Sequence, residues 1–412
     1  MKNQGLTPAH FSIFVQSVFC DNEHNKKKSV APRGFTEHLA DIFTCGGISH
    51  NLSEIHEEFV QQLNEEMASL NRDDSYNIPP YINFYFHDYH VNIKAVTKDT
   101  LSVRLSGKGR DDVMEFPLEK ARASLVAVLL RHRTGLSNKE IFIKEDGGLN
   151  ISGNIHGQNL SGVHLNNLTI KNAFFSNVDM SDATITNSEI INSEFKDSRI
   201  NNTRFESVNI DNINMEQLDA SRMVIIDGKI TNSVIDHAYM EWSSVMGAEF
   251  TGVKFSHSEF RGLKMKDVTM NAVEIEYSGF SDLQSVRMRM ENNCLISKSN
   301  FISAKIKVGS IVNSTIESTN FTGSSLHKIS VCDSTISKLI LDYARWLDSQ
   351  FNNVIISDSE MIGMKIINTH FSRGAINNCS LSGTTFHDSS LFHVAVEKYA
   401  LKFCDEKPVI RS

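Results

Sequence analysis

Between Ile155 and Val396 a large apolar residue recurs at every fifth position. Leu165, Ile170, Phe175, Met180, Ile185, Ile190, Phe195 and Ile200 show the spacing without a gap. It continues with lapses only at Ala220 and Ser285, slips by one residue after Leu295, and resumes from Phe301 through Ile306, Ile311 and Ile316. A helix cannot use this pattern, because five steps of about 100° turn the side chain by about 140° and no common face results. A straight strand fails as well, since its side chains alternate with period two and an odd repeat sends every second apolar group into solvent. The pattern works if the chain turns a corner in every repeat, so that each central residue points inward. That is a β-solenoid.

Two residues before each central one, small groups are favoured, as at Ala173, Ser188, Ser193, Ser233, Ser258 and Ser334. Small side chains fit where a wall lies nearest the axis. Asn and Asp recur between them (Asn159, Asp179, Asn209, Asn214), residues whose short polar side chains bond nearby backbone in turns. The segments "SGVHL", "SDATI", "MGAEF" and "FTGSSL" resemble the pentapeptide-repeat family, whose motif is Ala-Asp/Asn-Leu-x-x. The resemblance implies a mostly β fold, a right-handed quadrilateral β-helix with four repeats per turn. About twelve coils stacked at about 4.8 Å would make a rod of about 58 Å. Residues twenty apart would then form interior ladders, Phe175–Phe195–Met215 and Phe301–Phe321–Leu341 among them. Trp346 is bulky for such a bore, and distortion is expected there.

The N-terminal third follows other rules. Residues 1–30 include "DNEHNKKKSV" and read as a mobile segment, and residues 31–146 read as a small α+β domain. Ile55, Phe59, Leu63, Met67 and Leu70 fall on one helical face, with Ser53 as a plausible cap. "YINFYFHDYHVNIKAV" reads as one strand, and "TLSVRLSG" and "DVMEF" as two more around an "SGKGRDD" turn. Pro117 then opens a second helix that Gly135 ends. The β-helix is expected over 147–396, with its first coil covered by the N-terminal domain and a C-terminal tail over 397–412. Solenoids need such covers because an open coil exposes core and strand edges.

The chain of 412 residues carries a formal net charge of −8, and that acidity argues against a nucleic-acid binder, which needs a basic stripe. No apolar run reaches the about eighteen residues of a membrane span, and the N-terminus makes a poor secretory signal. Six cysteines lie far apart without CxxC pairing, which fits a reduced compartment better than a disulfide framework or zinc site.

No enzyme is visible, and no cofactor or metal site is expected. His87 and His90 in "HDYH" would point to opposite faces of a strand and share no ion. Cys45 lacks an identifiable base, so packing, targeting or acylation suits it better than nucleophilic catalysis. Ubiquitin ligases that carry a β-helix place a large catalytic half after it, and the repeats here run almost to the last residue. "RMRME" (Arg287 to Glu291) reads as a solvated wall near the lapse at Ser285.

"APRGFTEHLADIFTCGG", from Ala31 to Gly47, is similar to a segment near the start of the PipB family of type III secreted effectors of enteric bacteria. Phe43, Thr44, Cys45, Gly46 and Gly47 match the family's Phe-Thr-Cys-Gly-Gly ending, and "GGLNISG" matches its lead into the coils. The resemblance implies a non-enzymatic effector that acts in the host cell as an interaction scaffold. It implies association with late-endosomal or pathogen-containing vacuole membranes, with those five residues as an export or targeting motif. One branch recruits a kinesin through a Leu-Phe-x-x-Phe-Tyr type segment near its C-terminus. Here Leu391-Phe392 lacks the aromatic pair at that spacing, so kinesin recruitment is not carried over. The alternative is a pentapeptide-repeat DNA mimic that protects bacterial gyrase. That reading predicts one continuous acidic wall, whereas a scaffold predicts mixed patches.

Overall fold

A computed structural model describes residues 8–20, 47–70, 76–397 and 399–411. The chain divides into two compact units, Met1–Phe174 with Val178–Glu189, and Phe175–Asn177 with Ile190–Ser412.

In the first unit, helices α1 (Pro8–Cys20) and α2 (Gly47–Leu70) precede a four-stranded antiparallel meander, and helix α3 (Leu118–Thr134) follows it. The strands are β1 (Tyr81–Phe86), β2 (Tyr89–Ala95), β3 (Thr100–Gly107) and β4 (Arg110–Pro117). Where the sequence reading expects a mobile segment, α1 buries Phe11, Phe14, Val15, Val18 and Phe19. Phe11 meets Phe59 edge-on at 5.3 Å and Tyr89 at 4.8 Å, joining α1, α2 and the sheet in one aromatic core. Helix α2 starts at Gly47, six residues before the cap expected at Ser53, because Leu52 and His56 extend its buried face. The single strand expected over 81–96 is a hairpin. Phe86 pairs with Tyr89, and His87 (φ 51°) and Asp88 make the turn, so His87 and His90 do not lie on one strand. Helix α3 behaves as its sequence requires, with Gly135 at φ 73° donating its N–H to Arg131 O at 2.8 Å. It packs against β5 (Ile141–Ile143), β6 (Leu149–His156) and the strand His164–Asn166, the beginning of the coil. Tyr76 and Asn77 add hydrogen bonds to Gln158 and to the Ser161 carbonyl.

The second unit is the bulk of a parallel β-solenoid, which has about 13 turns against the about twelve expected. Each strand pairs with the one twenty residues later: Phe205 faces Ile225, Ile210 faces Ile230, and Met215 faces Ile235. Four sides of five residues therefore make one turn. The sides are numbered 1 to 4 by their central residues, Ile225, Ile230, Ile235 and Met240 in one coil. The second residue after each centre sits at positive φ (Asp227 50°, Asn232 49°, His237 52°, Trp242 58°), and that left-handed residue turns each corner. Most inward serines two residues before the centre are satisfied between coils, while the Ser324 hydroxyl is buried without a partner. Ser233 Oγ donates to Thr231 O at 2.6 Å and accepts the N–H of Ile213 at 3.2 Å.

The ladders form as expected and extend further. Phe175 stacks on Phe195 at 4.8 Å. Phe260, Phe280, Phe301 and Phe321 stack successively at 4.4, 4.8 and 5.0 Å. The frame slips earlier than its apolar pattern suggests. Ile275 faces Ile296 rather than Leu295, and the extra residue is taken up at Asn292–Asn293, both at positive φ. Trp346 causes no break in register: it faces Leu326 and Ile366 and stacks on Phe351 at 4.5 Å. Ala344, fully buried beside it, supplies the room. The segment read as a C-terminal tail continues the winding, with Leu401 buried and Val409–Arg411 paired on the preceding strand.

Candidate interaction wall

With the centres and small residues inward, each side offers two outward positions and a corner. Outward side chains are set by no packing need, so an uneven distribution carries information. Between residues 190 and 396 the exposed large aromatics are Tyr239, Trp242, Tyr277, Tyr343 and Phe392. The first four lie on side 4 or on its two bounding corners, and Phe392 lies on side 2. Ile340 and Ile362 are exposed on side 4. Aromatic groups with arginine on a rigid surface are the composition of protein-binding hot spots.

The two outer-corner aromatics are seated by glycine. A Cβ on Gly262 would collide with the Trp242 ring, and one on Gly363 would lie 3.0 Å from the Tyr343 ring. Each ring thus lies over the bare corner of the next coil, and Arg261 stands 5.9 Å from the Trp242 ring. On the other edge His237, His257 and Tyr277 stack at 4.9 and 5.1 Å, and Lys298 Nζ donates to Tyr277 Oη at 2.6 Å. Between the edges Gly279 leaves a notch, part of an open groove of about 330 Å³ lined by Glu259, Tyr277, Asn300, Asn320, Lys338 and Ile340 among others.

Glu259 is the strained charge of this groove. Partial burial pushes its carboxyl above the ordinary value, Glu241 adds to the shift, and Arg261 opposes it. A raised folded-state value means that the group favours folding below its unfolded value of 4.5 and that this contribution is lost as pH rises through the folded value. Glu259→Gln is therefore expected to raise the melting temperature at pH 7 and to leave it unchanged near pH 4. Melts at the two pH values check the sign.

Basic residues gather on one side despite the net acidity. Side 1 presents Lys264, Lys266, Lys305, Lys307, Arg345 and Lys365, all exposed. The basic stripe that the net charge argued against is thus present on one wall. Acidic residues fall on every side: Glu206 on side 1, Glu249 on side 2, Glu276 on side 3 and Glu360 on side 4. No single wall holds them.

Of the residues singled out in sequence, Phe43, Thr44, Cys45 and Gly46 lie outside the described residues, and Gly47 is the first residue of α2. The five described cysteines are free. Cys294 and Cys379 occupy inward small-residue positions, where burial raises their thiols and makes poor nucleophiles. The aromatic wall was missed in sequence because its members are scattered over a hundred residues and meet only through the twenty-residue turn.

Residues 159–197 match the family described as pentapeptide repeats, in 8 copies. The match covers that stretch alone, and beyond it the five-residue spacing continues to Val396. The "Secreted effector protein PipB2" of Salmonella typhi is 23% identical over 132 residues, 31% of this chain and 38% of the relative. The PipB2 of Salmonella typhimurium matches with the same identity and coverage. The match thus spans well under half the length of these curated relatives. Among solved structures, the pentapeptide-repeat protein HetL of Nostoc sp. strain PCC 7120 is 11% identical, with a TM-score of 0.31, over 56% of this chain and 91% of HetL. QnrB1, a plasmid-mediated fluoroquinolone resistance protein, is 14% identical, with a TM-score of 0.21, over 61% of this chain and 92% of that one.

Proposed function

We propose that this pentapeptide-repeat protein is a non-enzymatic type III secreted effector that acts in the host cell as a protein-interaction scaffold at late-endosomal or pathogen-containing vacuole membranes. In this reading Phe43, Thr44, Cys45, Gly46 and Gly47 serve export or targeting, and side 4 of the solenoid is the docking wall for a host protein. The observation that carries the scaffold reading is the gathering of Tyr239, Trp242, Tyr277 and Tyr343 on one wall and its edges. The similarity to PipB2 supports the effector reading. The DNA-mimic alternative needs one continuous acidic wall, and the acidic residues are spread over all four sides.

The test is translocation of the full chain fused to a reporter active only in host cytosol, from wild-type and type III-deficient enteric bacteria. Signal that requires the secretion system is expected, with Phe43→Ala and Cys45→Ala lowering it at unchanged bacterial expression. Absence of signal beside a functioning control effector removes the effector reading.

A further inference from the structure

We propose that Asp236, His237 and His257 form a binding site for a divalent first-row transition cation, zinc or copper in class. The site stands at the corner between sides 3 and 4, and it rests on geometry independent of the effector reading. Asp236 is the outward residue of side 3, His237 turns the corner after it, and His257 occupies the same corner one coil later.

The separations suit a metal. Asp236 Oδ2 lies 2.8 Å from His237 Nδ1, and Asp236 Oδ1 lies 3.1 Å from His257 Nδ1. One ligand atom from each of the three residues lies within 4.8 Å of the others. Ligands held at about 2.0–2.2 Å from zinc are about 2.9 Å apart at a right angle and about 3.3 Å apart at a tetrahedral one. The two short separations run to different oxygens of Asp236, so for a single carboxylate oxygen the three ligand atoms start within 4.8 Å of one another and close in by a small turn of the side chains. The imidazoles are parallel within 13°, and one ring must turn for both nitrogens to meet one ion. His257 is held between His237 and Tyr277, so His237 is the ring with room to turn.

The backbone beneath is fixed by coil stacking. His237 N–H donates to Ser256 O at 3.1 Å and His257 N–H to Glu276 O at 3.2 Å. Ser256 Oγ donates to Asp236 Oδ1 at 2.7 Å and orients the carboxylate, as outer partners do in metal sites. Two imidazole nitrogens and one carboxylate oxygen suit zinc, copper or nickel. They do not make the oxygen cage that calcium takes, nor the octahedral oxygen shell of magnesium. Both histidines are about half exposed, which leaves coordination positions open to water or to a side chain of a partner.

Sixteen histidines make absolute stoichiometry uninformative, so the difference between variants is read. Metal-free full-length protein is titrated with Zn²⁺ by calorimetry, and its Cu²⁺ complex is measured by electron paramagnetic resonance. The wild type is expected to bind one more equivalent than the His237→Ala/His257→Ala double variant, with nitrogen hyperfine structure that the variant lacks. Asp236→Asn is expected to weaken that equivalent at least tenfold. His327→Ala, which removes a histidine paired with Asp348 elsewhere on the solenoid, should change nothing. Thermal melts show whether each variant is folded, and the altered histidines are surface corners. Equal Zn²⁺ stoichiometry and affinity in wild type and double variant would overturn the proposal, as would Cu²⁺ spectra that do not differ.

Discussion

Replacing Phe280 with alanine is expected to destabilise the solenoid by about 3–5 kcal/mol, the range for removing a fully packed aromatic ring. Its ring lies between Phe260 at 4.4 Å and Phe301 at 4.8 Å, nearly parallel to both, and is 3% exposed. The hole cannot be closed by local collapse, because the walls are held apart by backbone hydrogen bonds to the coils on either side. Gly279 N–H donates to Ser258 O, and Phe280 N–H donates to Asn300 O. Coils stack on their neighbours alone, so the loss weakens two interfaces at once. Ile355, 46% exposed on an outward position, is the contrast: its change to alanine should stay within about 0.5 kcal/mol. Chemical denaturation of both variants checks the ratio. Equal effects would mean that the fivefold spacing does not mark the inside.

The second large effect is on binding. On the docking wall proposed above, Trp242→Ala is expected to weaken capture of a host protein by about 2 kcal/mol or more, roughly thirtyfold, because truncation of a hot-spot tryptophan typically costs that much. The ring is 54% exposed and sits over Gly262, so its removal leaves the core intact. Unchanged melting together with lost partner recovery from host cells is the expected pair of results. Tyr343→Ala, over Gly363 five coils further along, should act in the same direction. A variant that keeps full partner recovery would take side 4 out of the interface.

Much of the fold was legible because inward packing leaves a one-dimensional trace. A residue that must reach the axis is apolar with rare exceptions such as Ser285, and five residues per side write that demand into the chain from Ile155 onward. The corners were legible too, but in a different place from the one first read. Asn and Asp before the centre serve local turns, as Asp219 does for the Ser221 N–H. The left-handed corners fall two residues after the centre, where Asn167, Asn172, Asp182 and Asn187 carry the signal. The same logic relocates the frame slip. Leu295 is apolar and suggests a centre, yet the doubled Asn292–Asn293 marks where an extra residue is absorbed. Helix α1 was hidden only by its charged surroundings, since Phe11, Phe14, Val15, Val18 and Phe19 have helical spacing.

The candidate site was less legible for a physical reason. Packing constrains inward residues and leaves outward ones free, so no local motif announces a binding wall. Asp236, His237 and His257 become neighbours, and Tyr239, Tyr277 and Tyr343 fall on one wall and its edges, only when twenty residues are known to make one turn. Net charge misled in the same way, because it averages over walls that the coil keeps apart.

The measurement that tests the docking wall most directly is site-specific photo-crosslinking in host cells that contain the full-length protein. A photoreactive residue is placed at Tyr239 or Ile340 on side 4, and at Asn209 or Ser330 on side 2 as the contrast. The account predicts that both side 4 positions crosslink to the same host protein and that the side 2 positions do not. Equal crosslinking from both sides, or a partner trapped from side 2 alone, would contradict it.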